Sequence, residues 1–195
     1  MESINKQHLL NESTTVDLSK YDNAWYQPGA SHIKRMFWYF INAFIFNTAL
    51  FPFSGMKCTI LRLFGATVGI NNNIKPLVRI KYPWNLKMGD NVWLGEGVWI
   101  DNLTNITIGN NVCLSQEAYL LTGNHDYSDR QFGLIVKAIV IEDGAWIGAR
   151  AIVCPGVTVA RNAIVTVNSV LQQHAKDNGI YRGNPAEYIK KRTIT

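Results

Sequence analysis

One histidine in this chain stands where chemistry could be done. It lies in Gly123-Asn124-His125-Asp126-Tyr127-Ser128-Asp129-Arg130-Gln131-Phe132-Gly133, a stretch that interrupts an otherwise regular text. An imidazole titrates near neutrality, so His125 could take a proton from a hydroxyl as a general base. The other three histidines are less well placed: His8 in a polar tail, His32 ahead of an apolar segment, His174 in the closing segment. The residues alone leave two readings of His125, a general base or a turn histidine bonded locally. A metal site built from His125, Asp126 and Asp129 is the poorer reading, because nothing else supplies a ligand set. Cys58, Cys113 and Cys154 are widely spaced and odd in number, with no C-x-x-C. They read as free thiols in a reducing compartment, without a zinc site.

Whatever holds His125 must be the text that it interrupts. From Ile139 to Leu171 the chain repeats every six residues: Ile141, Ile147, Val153, Val159, Val165 and Leu171 hold one slot. Ala145, Ala151, Val157, Ala163 and Ser169 hold another, four residues further on. Neither a helix of period 3.6 nor strand alternation gives that pattern. Short strands joined by tight turns do, wound into a parallel β-solenoid. Upstream the frame is read as Ile70, Pro76, Tyr82, Met88, Leu94 and Ile100, with Ile74, Ile80, Leu86, Val92 and Val98 in the second slot. It slips by two residues at Asp101–Asn105 and resumes at Ile106 and Ile108. Gly, Asn and Asp between the strands suit tight corners. The loop over 123–138 leaves the coil, and long loops are often functional.

The N-terminal third is written differently. Residues 1–20 are polar and expected to be loosely ordered. Residues 33–51 are aromatic and apolar, and predict a helix of about five turns ended by Pro52. A second short helix is expected over 58–63. The apolar run is barely long enough for a span and contains Asn42, Asn47 and Thr48. Two readings stay open: packing on the solenoid or a neighbouring subunit, or a helix in the membrane interface, with Lys34, Arg35, Lys57 and Arg62 as flanking cations. With 195 residues, 47% hydrophobic and 17% charged, the chain has enough apolar text for a buried core without a second domain. The net charge of +5 is not gathered with aromatics into a nucleic-acid-binding module, so no nucleic-acid partner is expected. Basic residues near the C-terminus (Arg182, Lys190, Lys191, Arg192) suit a phosphate-bearing small molecule or a solvated tail. No secretory pattern is visible at the N-terminus, and a cytoplasmic location is expected.

Several segments carry a family resemblance: Leu63-Phe64-Gly65-Ala66, Tyr82-Pro83-Trp84-Asn85-Leu86, Gly123-Asn124-His125-Asp126-Tyr127, Ala145-Trp146-Ile147-Gly148-Ala149-Arg150, Pro155-Gly156-Val157 and Gly183-Asn184-Pro185-Ala186. On these the chain resembles the hexapeptide-repeat acyltransferases, more narrowly the colanic-acid-biosynthesis type of O-acetyltransferase, related to the maltose, galactoside and nodulation acetyltransferases. The resemblance implies an all-β fold, a left-handed parallel β-helix over 64–195 with an extruded loop over 123–138, behind a tail and helical lead-in over 1–63. It implies a homotrimer with acetyl-CoA in grooves between subunits and no metal. It also implies a saccharide acceptor, a surface-polysaccharide precursor that the apolar helix could meet in lipid-linked form at the inner membrane face.

Carried over by position, His125 takes the acceptor proton, and backbone amides of Gly148 and Ala149 stabilise the oxyanion. Trp146, Ala149, Val167 and Asn168 line the pantetheine channel, and Pro185 shapes the adenine pocket. Where the family often has basic residues this chain has Gln173 and Glu187, so Lys190 or Lys191 is expected to meet the 3′-phosphate. Asp101 and Asn102 are expected to line the acceptor site, or to be ordinary turn residues. Two other solenoid functions are weighed: an N-acyltransferase acting on an amino sugar or amino acid, and a non-catalytic or metal-dependent coil of the carbonic-anhydrase-like kind.

Overall fold

The computed structural model describes residues 15–194; the expectation for the first fourteen, with His8, lies outside them. The described residues divide into two compact units, 28–123 with 136–194, and 15–27 with 124–135.

The larger unit is a β-solenoid of about six turns. Three parallel sheets form its sides, and each coil contributes a strand of two or three residues to each sheet. The first side stacks Thr67–Val68, Leu86–Met88, Ile106–Ile108, Ile139–Ile141 and Thr158–Val159. The second stacks Asn73–Ile74, Trp93–Leu94, Cys113–Leu114, Trp146–Ile147, Ile164–Val165 and Gly179–Gly183, which folds back antiparallel onto Ala186–Lys191. The third stacks Arg79–Ile80, Trp99–Asp101, Tyr119–Leu121, Ile152–Val153 and Val170–Leu171. In-register pairing puts like residues over like. On the second side Ile74, Leu94, Leu114, Ile147 and Val165 form one inward column, all fully buried. Such columns supply the hydrophobic stabilisation of a fold whose strands are too short to be stable singly.

The stacking corrects the upstream frame. Val68, Ile74 and Ile80 are the inward residues of the first coil, whereas Ile70 is exposed and Pro76 and Tyr82 are only half-buried. The steps from first to second side (Val68 to Ile74, Met88 to Leu94, Ile141 to Ile147) and from second to third (Ile74 to Ile80, Leu94 to Ile100, Ile147 to Val153) are six residues throughout. Only the return to the first side varies. It takes eight residues from Ile80 to Met88, eight from Ile100 to Ile108, twenty-one from Leu120 to Ile141 and six from Val153 to Val159. A slip therefore occurs at Pro83–Asn85, a 3₁₀ turn, as well as at Asp101–Asn105.

The first of the constant corners is built from residues that accept a left-handed backbone. Asn71, Asn91, Asn111, Asn162 and Asn178 all have φ of 56–57° at the first corner, with Gly144 completing the column. Asparagine tolerates this region far better than a branched residue would.

Two helices close the first coil, whose backbone would otherwise be an open edge. Helix α1 (His32–Ile41) is capped by Ser31, which accepts from the Lys34 N–H, and α2 spans Ser54–Leu63. Each side of the coil receives a cap. Arg62 donates to the carbonyls of Val68 and Gly69 at 2.9 and 2.6 Å. Ser54 Oγ accepts from the Ile74 N–H, and Lys57 Nζ donates to the Lys75 carbonyl at 2.9 Å. Asn42 Oδ1 accepts from the Ile80 N–H, and Trp38 Nε1 donates to the Ile80 carbonyl at 2.9 Å.

The helical run is shorter than expected. After Ile41 it widens into a π-turn, Asn42–Phe46, and ends at Asn47, five residues before Pro52. The widening goes with the packing of Trp38 on Phe46, ring centroids 5.2 Å apart. Helix α2 in turn begins four residues earlier than expected. Lys57 is fully buried and Arg62 is bonded to carbonyls, so neither is a free flanking cation. No helix among the described residues is long and apolar enough to cross a membrane.

Candidate active site

The smaller unit is built around His125. Strand Gly123–His125 pairs with Leu134–Val136 as a two-stranded ribbon. Between them two aspartate turns shape the loop: Asp126 accepts from the Ser128 N–H and hydroxyl, and Asp129 accepts from the amides of Gln131 and Gly133. Asp126 is held below the usual carboxylate range by its bonds to Ser128. Both carboxylates are thus committed to the loop backbone, which weakens the metal reading. No group of His, Cys, Asp and Glu among the described residues could hold a metal ion.

His125 is held on three sides. Its Nδ1 lies 2.9 Å from the Phe132 carbonyl oxygen. A carbonyl only accepts, so Nδ1 carries the proton and the neutral ring presents Nε2 as its acceptor. The Phe132 ring stacks on the imidazole at 4.3 Å, and Tyr21 leans on it at 5.6 Å. Residues 15–20 are not loose as expected: Leu18–Lys20 is a 3₁₀ turn, and the Asp17 N–H donates to the Arg130 carbonyl. Tyr21 had no signal in the sequence, because only this strap brings it to the loop.

A separate candidate surface belongs to the larger unit, on the solenoid's second side. Trp93, Cys113 and Trp146 are successive outward residues there. Trp146, 44% exposed, donates from Nε1 to Ser115 Oγ at 2.8 Å. With Gly148, Ala149 and Val167 it borders a cavity of about 360 Å³, to which Ser115, Gln116 and Thr166 also contribute. Three of the four expected channel residues, Trp146, Ala149 and Val167, therefore come together with Gly148. Ser115 was not anticipated, although it holds the same repeat position as Gly95, Gly148 and Thr166. Asn168 sits at the adjoining corner with φ 56°. Burial pushes the thiols of Cys58, Cys113 and Cys154 up, which keeps them as neutral free thiols at pH 7.

Two expectations need correction. The Gly148 N–H donates to the Val165 carbonyl at 2.7 Å, so it belongs to the ladder and is not an oxyanion donor. Glycine is needed there for stacking: a Cβ would lie 2.7 Å from the Val167 nitrogen. Asn102 is completely buried, its Oδ1 accepting from the Tyr82 N–H and its Nδ2 donating to the Tyr82 carbonyl. It staples two coils and, being wholly buried, presents no group to an acceptor. Asp101 is nearly buried, with Lys81 Nζ 3.0 Å from Oδ1 and the Tyr119 hydroxyl 3.3 Å from Oδ2. Burial and the Asp101 carboxylate push the Tyr119 phenol up to about 12.

The expected adenine end lies on the terminal hairpin. Pro185 follows a cis peptide bond in its turn, and Lys190 and Lys191 are exposed on the outer strand. The Gly183 N–H donates to Ser169 Oγ, which places this turn beside the Asn168 corner. Gln173 and Arg192 are structural: Gln173 donates to the Ala186 carbonyl, and Arg192 to the carbonyls of Gly144 and Asn162.

A three-sided hexapeptide coil interrupted by one long ribbon is the architecture of the hexapeptide-repeat acetyltransferases. Known proteins agree. The chain is 37% identical over 167 residues to the protein of Escherichia coli K12 named colanic acid biosynthesis acetyltransferase WcaF, covering 86% of this chain and 92% of that one. The crystal structure of a hexapeptide-repeat-containing acetyltransferase from Vibrio cholerae matches with a TM-score of 0.74 at 26% identity, covering 85% of this chain and 96% of that one. A maltose O-acetyltransferase from Clostridium difficile 630 matches with a TM-score of 0.68, also at 26% identity, covering 83% and 88%. No family model matches the chain. The chain belongs to the hexapeptide-repeat acetyltransferases, and it is an acyltransferase.

Proposed function

We propose that the protein transfers an acetyl group from acetyl-CoA to a hydroxyl of a saccharide, a precursor of a surface polysaccharide, with His125 as general base. The observation that carries the reading is the bond between His125 Nδ1 and the Phe132 carbonyl, which leaves Nε2 as the basic nitrogen. In the proposed reaction Nε2 accepts the proton of the acceptor O–H as that oxygen attacks the thioester carbonyl carbon. The tetrahedral oxyanion collapses with cleavage of the C–S bond, and the thiolate recovers the proton from Nε2. Preorganised donors for such an oxyanion strengthen catalysis; of the expected pair, Ala149 keeps that role in the proposal.

On the solenoid, Trp146, Ala149, Val167 and Asn168 are proposed to flank the pantetheine arm, and Pro185 the adenine. Lys190 or Lys191 is proposed for the 3′-phosphate. A homotrimer is the proposed assembly, as the family resemblance implies, with a neighbouring subunit covering the exposed Trp146 and Val167. The acceptor class is supported by similarity to the protein named for colanic acid biosynthesis and to the maltose O-acetyltransferase. Thiol release from acetyl-CoA, measured against nucleotide sugars, free sugars, polyprenyl-linked oligosaccharides and amino sugars, tests it. Release with hydroxyl acceptors is expected; release with amine acceptors alone would overturn the O-acetyl assignment.

A further inference from the structure

Helix α1 is apolar on two faces. Its inner stripe, Trp38, Ile41 and Phe46 of the π-turn, packs on the solenoid core. Its outer stripe, Ile33, Phe37, Phe40 and Phe44, follows i, i+4, i+7, i+11 spacing and is 51–74% exposed. Beyond it, Leu50 is 90% exposed, Phe53 60% and Leu63 77%. Isolated exposed apolar residues are ordinary, but a continuous aromatic stripe of this length marks an interaction surface.

The charge pattern indicates what covers it. Between Asp22 and Asp90 there is no aspartate or glutamate, while Lys34, Arg35, Lys57, Arg62, Lys75, Arg79, Lys81 and Lys87 all fall there. The helices and first coil thus carry seven positive charges and no negative one, of which Lys57 is buried and Arg62 is bonded to carbonyls, and the rest of the chain carries a net negative charge. Along one flank of α1 is a cavity of about 460 Å³ bordered by His32, Arg35, Tyr39, Lys81 and Tyr82. Arg35 reaches His32 Nδ1 at 2.8 Å, yet its Nε is buried without a partner. Lys81 is paired with Asp101 at 3.0 Å, so a phosphate oxygen here would be met first by the unpartnered Arg35 Nε–H, a guanidinium donor suited to it.

We propose that this end of the solenoid docks on an anionic lipid bilayer, with the outer stripe of α1 among the acyl chains and a lipid phosphate in the Arg35–Lys81 cavity. An apolar helix that carries Lys34 and Arg35 in its first turn and is too short to span suits the interface. A second copy of the chain is disfavoured as occupant, because two such ends would oppose like charges. The inference is independent of the acetyl-transfer reading, and its readout is binding.

Co-flotation of the full chain with vesicles tests it. Binding is expected to vesicles of seven parts phosphatidylcholine to three parts phosphatidylglycerol. It should fall roughly tenfold or more on pure phosphatidylcholine and in 0.5 M salt, where screening is nearly complete. Phe37→Asp/Phe40→Asp and, separately, Leu50→Asp should lose binding while keeping the wild-type melting temperature. Arg35→Gln should weaken binding to the anionic vesicles alone. Failure to bind the anionic vesicles, or equal binding by folded Asp variants, overturns the proposal. So does a light-scattering mass that falls in the Asp variants without lipid, since the stripe would then be a subunit interface.

Discussion

At the scale of single residues, the proposed chemistry rests most on the bond from His125 Nδ1 to the Phe132 carbonyl. His125→Ala is expected to lower turnover by about 10²–10⁴-fold with an unchanged circular dichroism spectrum; thiol release at the wild-type rate would exclude His125 as the base. Tyr119 gives a prediction with a sign. Its phenol is pushed up to about 12, by burial first and by Asp101 second. An unfolded tyrosine ionises near pH 10, so between about 10 and 12 the unfolded chain loses a proton that the folded one retains. The stabilisation is complete below pH 10 and drains away as pH rises toward 12. Denaturant midpoints from pH 9 to 12 should fall less steeply in Tyr119→Phe, and a parallel fall would rule this out. His125 was legible in the sequence because it stands where the repeat breaks. Its partners were not, because one is a main-chain carbonyl and the other, Tyr21, arrives from a distant strap. Asn102 was singled out as a polar group, but its direction is set by Tyr82, twenty residues away and adjacent only once the coils stack.

At the scale of elements, the coil depends on places where no side chain fits and places where an edge must be closed. Gly148→Ala puts a methyl 2.7 Å from the Val167 nitrogen and 2.8 Å from the Thr166 carbonyl carbon. Backbone cannot yield there as a side chain would, so a loss of roughly 1–3 kcal/mol is expected, read as a lowered denaturant midpoint. Arg62→Ala uncovers the Val68 and Gly69 carbonyls and should cost about 1–3 kcal/mol; a wild-type melt would mean that water replaces the guanidinium at no cost. The six-residue text from 139 to 171 was readable because every side there takes six residues. Upstream it was misread for a physical reason. The two slots lie four residues apart, so a two-residue slip puts the second slot of the next coil (Leu86, Val92, Val98) on the frame that the first slot (Val68, Ile74, Ile80) held before it. With aliphatics in both, the extra residues at Pro83–Asn85 left no gap in the pattern.

At the scale of the whole molecule, the sequence carries the fold class and family clearly and the assembly only by resemblance. The proposed trimer predicts a solution mass near three times 22.0 kDa; a monomer by light scattering at working concentration would exclude it. Charge is unevenly distributed along the chain, with the first coil and its helices wholly basic. That asymmetry is visible in the sequence, whereas the outer stripe of α1 is not, since only packing separates Phe37 from Trp38.

The uneven return from third side to first has a practical consequence. Two walls keep a fixed measure, and the third edge behaves as an expansion joint that has already accepted two, two and fifteen surplus residues without disturbing the ladders around it. New chain spliced at that seam, for instance a short epitope between Cys154 and Gly156, should leave the melting transition close to wild type. The same insert at Asn111 or Asn162 would put every later strand out of step with the one it lies on. The seam is where this scaffold can be lengthened, and it is also where it already carries His125.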